Sequence, residues 1–476
     1  MALQPQVVEL FWCSDRALRR PGRYAVNLGT LPMVEAQKQV AIDLASVPLP
    51  SLQDEPPDPD SPATFTSQAH ILPPVDGGRA AWRLLLSAFV FEAFLWGFPL
   101  SFGVFQSHYS QIPAFSNSAY ISAIGTTASG IAYLGAPLAT PMIRRWARYR
   151  THMILIGWPM CILGLVAGSF AETLGGLLAT QGVMYGVGFV IFYYPILSMV
   201  DEFWIRRRGM AYGLLCSASG VSGAATPLVM QSLLQRFGHR TTLRAVAVAL
   251  TVTTGPLIPL LKGRLRHQHT TSLRSDWSFL RKRLFWTYSV SNLAMGMGYF
   301  IPALFLPSYA SLLGLGTTRG ALLLTLMSVS QVAGQFTFGY FSDNKKVPLN
   351  ALIAVCASVA AVVTLSIWGL ARSMVSLAVF AILYGFFGAG YTAMWARMVT
   401  AVSEEPSASQ PMFGLFCAGK GVGNILTGPI SAGLLRLSSE ATGYGHGLYQ
   451  AVVVFTGACL VCSAASLSVV YFRPKP

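Results

Sequence analysis

An all-α integral membrane protein, with twelve transmembrane helices in two six-helix halves, is the fold the sequence predicts, and three observations predict it. The 476 residues are 53% hydrophobic and only 11% charged, with a mean hydropathy of +0.53. A soluble fold would lack the polar residues to cover its surface. Apolar stretches recur at close to the ~20 residues that cross ~30 Å of hydrocarbon at 1.5 Å per residue. The basic residues, finally, cluster in alternate connections between those stretches.

The first 75 residues differ from the rest. Prolines at 48, 50, 56, 57, 59 and 62 and the run DEPPDPD from Asp54 cannot bury a core and read as a disordered cytoplasmic tail. Its apolar start, VVELFWC, is short, carries Glu9 and lacks the pattern of a signal peptide, so the first spanning helix is expected to target the chain. The expected spans are 82–106, 119–143, 151–170, 174–198, 208–234, 241–261, 284–312, 320–341, 348–370, 374–398, 410–435 and 446–472. A spanning barrel would instead show ~10-residue segments of alternating polarity. The longest connection, KGRLRHQHTTSLRSDWSFLRKR, falls after the sixth span. It divides the chain into a six-helix half at 76–261, a cytoplasmic linker at 262–283 and a second half at 284–476, the layout of a two-halved transporter with its binding site where the halves meet.

Charge sets the orientation. Alternate connections hold Arg144, Arg145, Arg148 and Arg150, then Arg206, Arg207 and Arg208, then seven basic residues from Lys262 to Arg283, then Lys345 and Lys346, while the opposite ones hold far fewer. By the positive-inside rule the basic connections and both termini are cytoplasmic, and the plasma membrane is the expected location. The net charge of +15 would suggest nucleic acid as the partner of a soluble protein. Here the charges border membrane spans and no nucleic-acid motif accompanies them, so the expected partners are the bilayer and a small organic substrate, with protons as a coupling ion. The seven cysteines lie mostly in apolar stretches and form no disulfide framework, and Cys459-x-x-Cys462 reads as structural. There is no P-loop, HExxH or GxSxG, so neither an enzyme, nor a cofactor, nor a metal is expected.

Four segments carry a family resemblance: Asp76-Gly77-Gly78 with Trp82 before the first span, FWIRRRGMAYGL at 203–214, GYFIPALFLPSYA at 298–310, and GYFSD ending at Asp343. In this order and spacing, from about Asp76 to the C-terminus, they resemble the major facilitator superfamily, and within it fungal members similar to the monocarboxylate porters. The resemblance implies alternating access through a cavity lined by spans one, four, seven and ten. It also implies a lysine after a proline in span one and an Asp and Arg four residues apart in span eight, as carboxylate and proton sites. Here those positions are Leu100, Gln331 and Gln335. A short carboxylate bound without those charges would lose its charge-assisted hydrogen bonds. A larger, less charged compound, such as a secondary metabolite moved outward, is the expected cargo; carboxylate uptake is the alternative within transport and a non-transporting sensor the alternative outside it.

Candidate residues follow from cost. An ionisable group at mid-span costs ~2.5–3.5 kcal/mol on insertion scales and is a functional candidate by default. Glu92 and Lys420 each lie about ten residues into their span, at similar depth. One reading makes Glu92 a proton site with Lys420 neutralising an acidic group; the other makes each a packing contact, with a third residue as partner. The expected substrate-binding set adds Trp96, Tyr193, Tyr194, Tyr299 and Tyr391 as aromatic walls, with Asn292, Gln331 and Gln335 as amides that must find partners. Asp201, Arg206, Arg207, Arg208 and Asp343 sit at cytoplasmic helix ends; one reading gives them salt bridges between the halves that close an inner gate, the other makes them surface charge that only sets orientation. Gly164/Gly168, Gly182/Gly186, Gly209/Gly213 and Gly419/Gly423 are GxxxG pairs that let helices pack closely in lipid.

Overall fold

Among the described residues the expected spans are helical, and prolines and glycines decide where the helices break. The computed structural model describes residues 73–109, 111–112, 121–264, 276–437 and 444–471. The expected tail up to residue 72 and residues 265–275 of the expected linker lie outside the described residues. The principal helices are α1 (Gly78–Tyr109), α2 (Ile121–Leu134), α3 (Ala136–Arg145), α4 (Arg150–Gly168), α5 (Leu174–Phe203) and α6 (Arg208–Thr254). They continue with α7 (Arg283–Tyr299), α8 (Ile301–Leu312), α9 (Thr317–Ser342), α10 (Leu349–Val363), α11 (Met374–Ala393), α12 (Trp395–Val402), α13 (Pro406–Leu437) and α14 (Gln450–Tyr471). No strand occurs among the described residues.

Nine helical units among the described residues are long and apolar enough to cross a membrane. One of them, Arg208–Leu260, holds two expected spans: Gly238, at φ 71° and ψ 174°, turns the chain between them. The stretches at α2–α3 and α13 fall outside the nine. The α2–α3 break comes at Gly135, because Pro137 has no N–H to continue the ladder. Pro302 acts in the same way between α7 and α8. It cannot donate to Gly298, whose carbonyl instead accepts from the Tyr384 hydroxyl at 3.4 Å, as the Tyr299 carbonyl does at 3.1 Å. A side chain from α11 thus replaces a missing backbone donor, as membrane helices require.

Close approach between helices rests on missing side chains. A Cβ on Gly213 of α6 would stand 2.6 Å from the Gln335 carbonyl and 2.9 Å from Gly339 Cα on α9, so the two backbones touch there. Gly186 approaches Ala128 O on α2, and Gly423 the backbone of Gly296 on α7, in the same manner. Outward-facing surface is apolar, with Leu138 and Val375 each 72% exposed. In water that would be an aggregation hazard; against lipid tails it costs nothing.

Candidate functional site

The helix breaks aim rings at one point. Lys420 of α13 is buried, and its ammonium stands 4.3 Å from the Tyr299 ring centre, 5.5 Å from Trp395, 5.6 Å from Phe300 and 5.9 Å from Tyr133. Tyr299 and Phe300 lie at the α7–α8 break, and Trp395 opens α12 after the break at Met394. Four ring faces within ~6 Å of a cation attract it electrostatically, each by roughly 0.5–2 kcal/mol depending on desolvation. Among the described residues Lys420 Nζ makes no hydrogen bond and no ion pair. Its hydrogen-bonding capacity is unspent.

Glu92 of α1 is also buried. Tyr193 of α5 is its neighbour, and its charge reaches Lys420 without the direct contact of an ion pair. Its Oε2 has no hydrogen-bond partner among the described residues. Trp96 completes the wall, its ring 5.0 Å from Tyr133 and 5.1 Å from Phe189, which is in turn 5.1 Å from Tyr193. Glu92, Trp96, Tyr193, Tyr299 and Lys420 therefore belong to one cluster drawn from α1, α5, α7 and α13. A molecule there would meet an ammonium donor, a carboxyl oxygen and aromatic faces, the pairing that holds a ring system bearing a few polar groups.

The other expected site residues are committed elsewhere. Tyr194 donates to Ala132 O at 2.8 Å and Asn292 Nδ2 to Phe416 O at 2.7 Å. Tyr391, fully buried, donates to Ser291 Oγ at 2.9 Å. These bonds tie helix to helix. Gln331 Nε2 donates to Ser219 Oγ at 3.2 Å and Gln335 Nε2 to Thr392 Oγ1 at 3.4 Å, leaving the buried Gln335 Oε1 without a partner among the described residues. Sequence reasoning missed Tyr133, because α2 was not among the helices expected to line the cavity.

At the basic end of the bundle the expected gating residues converge on one turn. Asp76 Oδ1 accepts from the N–H groups of Ile205, Arg206 and Arg207 at 2.9, 2.8 and 2.9 Å, and Trp82 packs edge-on against Trp204 at 5.2 Å. The segments before α1 and before α6, quoted separately above, are thus two sides of one joint. Asp343, just past α9, accepts from Gly209 N and Met210 N, both at 2.8 Å, capping α6, with Arg397 at 3.5 Å. Burial raises the Asp343 carboxyl above its ordinary range, while the two N–H groups and Arg397 pull the other way. Asp201 pairs with Arg208 at 2.6 Å and accepts from the Tyr212 hydroxyl at 3.0 Å. The side chains of Arg206 and Arg207 are exposed. A further pair, Arg150 to Glu202 at 2.5 Å, is almost wholly buried. The sequence offers only its charges as a signal, and Arg150 counts there toward orientation alone.

An all-helical bundle with an apolar exterior and charged groups buried among aromatic rings is a multi-pass membrane protein of the carrier type. The chain belongs to the Major Facilitator Superfamily, whose family description matches residues 84–373, more than half of its length. It is 27% identical over 406 residues to monocarboxylate transporter 13 of Rattus norvegicus, covering 84% of this chain and 90% of that one. It is 24% identical over 392 residues to the MFS-type transporter pynF of Aspergillus niger, covering 80% and 88%. In structure it is similar to the MFS transporter FucP in its outward conformation, with a TM-score of 0.61 at 14% identity over 84% of this chain and 100% of that one. These relatives are transporters, and the chain is not an enzyme.

Proposed function

We propose that this protein is a secondary transporter that moves a bulky, partly unsaturated organic compound across a membrane by alternating access, with Glu92 and Lys420 as its polar contacts and Trp96, Tyr193, Tyr299 and Trp395 as its walls. The single observation that carries the reading is the cluster itself. A buried lysine held by ring faces alone and a buried carboxyl oxygen without a hydrogen-bond partner among the described residues are expensive to keep in a bilayer unless they serve function. The proposed architecture is twelve spans in two halves of six, 76–261 and 284–476, with both termini cytoplasmic in the plasma membrane. Contributions to the cluster from α1, α2, α5, α7, α12 and α13 support a site between such halves. Asp201, Arg208 and Asp343 then serve the cytoplasmic closure, and protons carried on Glu92 supply the coupling. Outward movement of a fungal secondary metabolite is the proposed direction; the similarity to fungal MFS-type transporters supports a carrier of the fungal kind.

A second reading, proton-coupled uptake of a monocarboxylate, is favoured by the similarity to monocarboxylate transporters. Leu100, Gln331 and Gln335 weigh against it, since none supplies a charge to a small carboxylate. Uptake and efflux in a host stripped of its own carriers, with lactate, pyruvate and aromatic polyketide-like compounds and with or without a pH gradient, separates the two. Proton-coupled lactate flux would overturn the first reading.

A further inference from the structure

Toward the basic end, one ring beyond Tyr193 and Trp395 of the Lys420 cluster, lies a cavity of about 10 Å³ that none of the assignments above uses. It is walled by Thr140 of α3, Ser198 and Asp201 of α5, Tyr212 of α6, and Gln410 and Phe413 of α13. Two of its polar atoms, Thr140 Oγ1 and Gln410 Oε1, are buried and have no hydrogen-bond partner among the described residues. Thr140 is only 5% exposed. The two come from helices that touch: a Cβ on Gly414 of α13 would stand 3.0 Å from Thr140 Oγ1, and Arg144 of α3 donates to the Ser407 carbonyl of α13 one turn further on.

An unpaired buried hydroxyl or amide oxygen costs about 1–3 kcal/mol, so two facing one hole call for a common partner. We propose that this cavity is the site of a single bound water, and that this water fastens α3 and α5 to α13 when the basic end is closed. The space is at the size one water needs, roughly 10–15 Å³, and the wall supplies the two to four polar contacts such a water takes. Its two O–H groups reach Gln410 Oε1 and the Asp201 carboxylate, and its oxygen accepts from the Thr140 hydroxyl. A cation fits the oxygen-rich wall less well. Asp201 is already neutralised by Arg208 at 2.6 Å, and Ser198 Oγ accepts from the Arg150 guanidinium at 2.9 Å, so two positive groups stand at the rim. One water exchanges faster than a packed side chain, which suits a contact that must form and part in every cycle. The proposal does not depend on the identity of the cargo.

The test is coupling between the two walls. Hydrogen exchange is measured on the full chain in nanodiscs for segments 136–145 and 406–414, in wild type, Thr140→Val, Gln410→Leu and the double variant. Each single change strands the other group, so exchange in both segments rises by at least about twofold. The double variant, with both walls apolar, exchanges less than the product of the two single effects. Exchange in sodium and potassium buffers is the same. On the wild type, a map fine enough to show ordered solvent places density within hydrogen-bonding distance of Thr140 Oγ1 and Gln410 Oε1. Effects that simply multiply, exchange slowed by sodium alone, or a cavity without density would each overturn the proposal.

Discussion

Gly213→Ala adds one methyl group at the crossing of α6 and α9, and the structure sets the size of its effect. The new Cβ would meet the Gln335 carbonyl at 2.6 Å and Gly339 Cα at 2.9 Å, whereas ordinary contact begins at 3.4 Å. The shortfall, 3.4 less 2.6, is 0.8 Å at the oxygen and, from 2.9, 0.5 Å at the carbon. Both obstacles are backbone, so neither can rotate aside as a side chain would. Strain of this kind costs about 1–3 kcal/mol. It falls on the closed basic end, where Asp343 caps α6 through Gly209 and Met210. With 1.4 kcal/mol equal to a factor of ten, the closed population drops roughly 5- to 150-fold relative to an open one. The assay is a spin-label distance across the basic end, with hydrogen exchange over 208–213 and 335–343. Gly103→Ala, where a Cβ would find nothing within 4 Å, is the control and should change neither. A Gly213→Ala protein with wild-type distances and exchange would refute the reasoning.

Three hydrogen-bonding and charge predictions accompany it. Asp76→Ala removes the shared acceptor of the N–H groups of Ile205, Arg206 and Arg207 at an exposed joint; it should cost about 1 kcal/mol and lower the thermal midpoint, with Asp76→Asn recovering part of the loss. Arg150→Met takes the guanidinium away from the buried Glu202, which keeps the Arg264 N–H at 2.8 Å, and should destabilise by about 3 kcal/mol in thermal unfolding, while Arg150→Met with Glu202→Leu should recover most of it. Because burial raises Asp343 from 3.8 in the closed state, its contribution to closure is complete below pH 3.8 and is lost as pH rises through the raised value. Spin-label distances should therefore show more closed protein at acid pH, and Asp343→Asn should remove that part of the dependence.

Much of the helical layout could be read from the sequence, and so could the two charges at its centre. Glu92 and Lys420 stood out because an ionisable group in an apolar run has few reasons to be there. The rings that surround Lys420 were harder to select. A helix in lipid is apolar on its outer face as well as its inner one, so nothing in the sequence of α2 marked Tyr133 as facing inward. Asn292 and Tyr391 show the converse problem: a polar group in a span must find a partner, but the sequence does not say whether that partner is cargo or a neighbouring carbonyl such as Phe416 O. The Asp76 joint was visible as two motifs 129 or more residues apart in the chain, and only the fold brings a carboxylate from one onto three N–H groups of the other. Arg150 was legible as a charge but not as the buried partner of Glu202, because positive residues at a membrane border usually serve orientation alone.

The central claim is that Glu92, Lys420 and the rings around them form the cargo site. It is tested most directly by measuring flux in proteoliposomes for whichever compound of the panel the wild type carries, across an imposed pH gradient. Lys420→Met and Glu92→Gln should each lower flux by roughly tenfold or more, the size expected when a charge-assisted contact of about 1.5–3 kcal/mol is removed. Tyr391→Phe, which loses only a helix-to-helix hydrogen bond, should keep most of it, and Glu92→Gln should also lose the response to the gradient. Wild-type flux in Lys420→Met, with the gradient response intact in Glu92→Gln, would contradict the account.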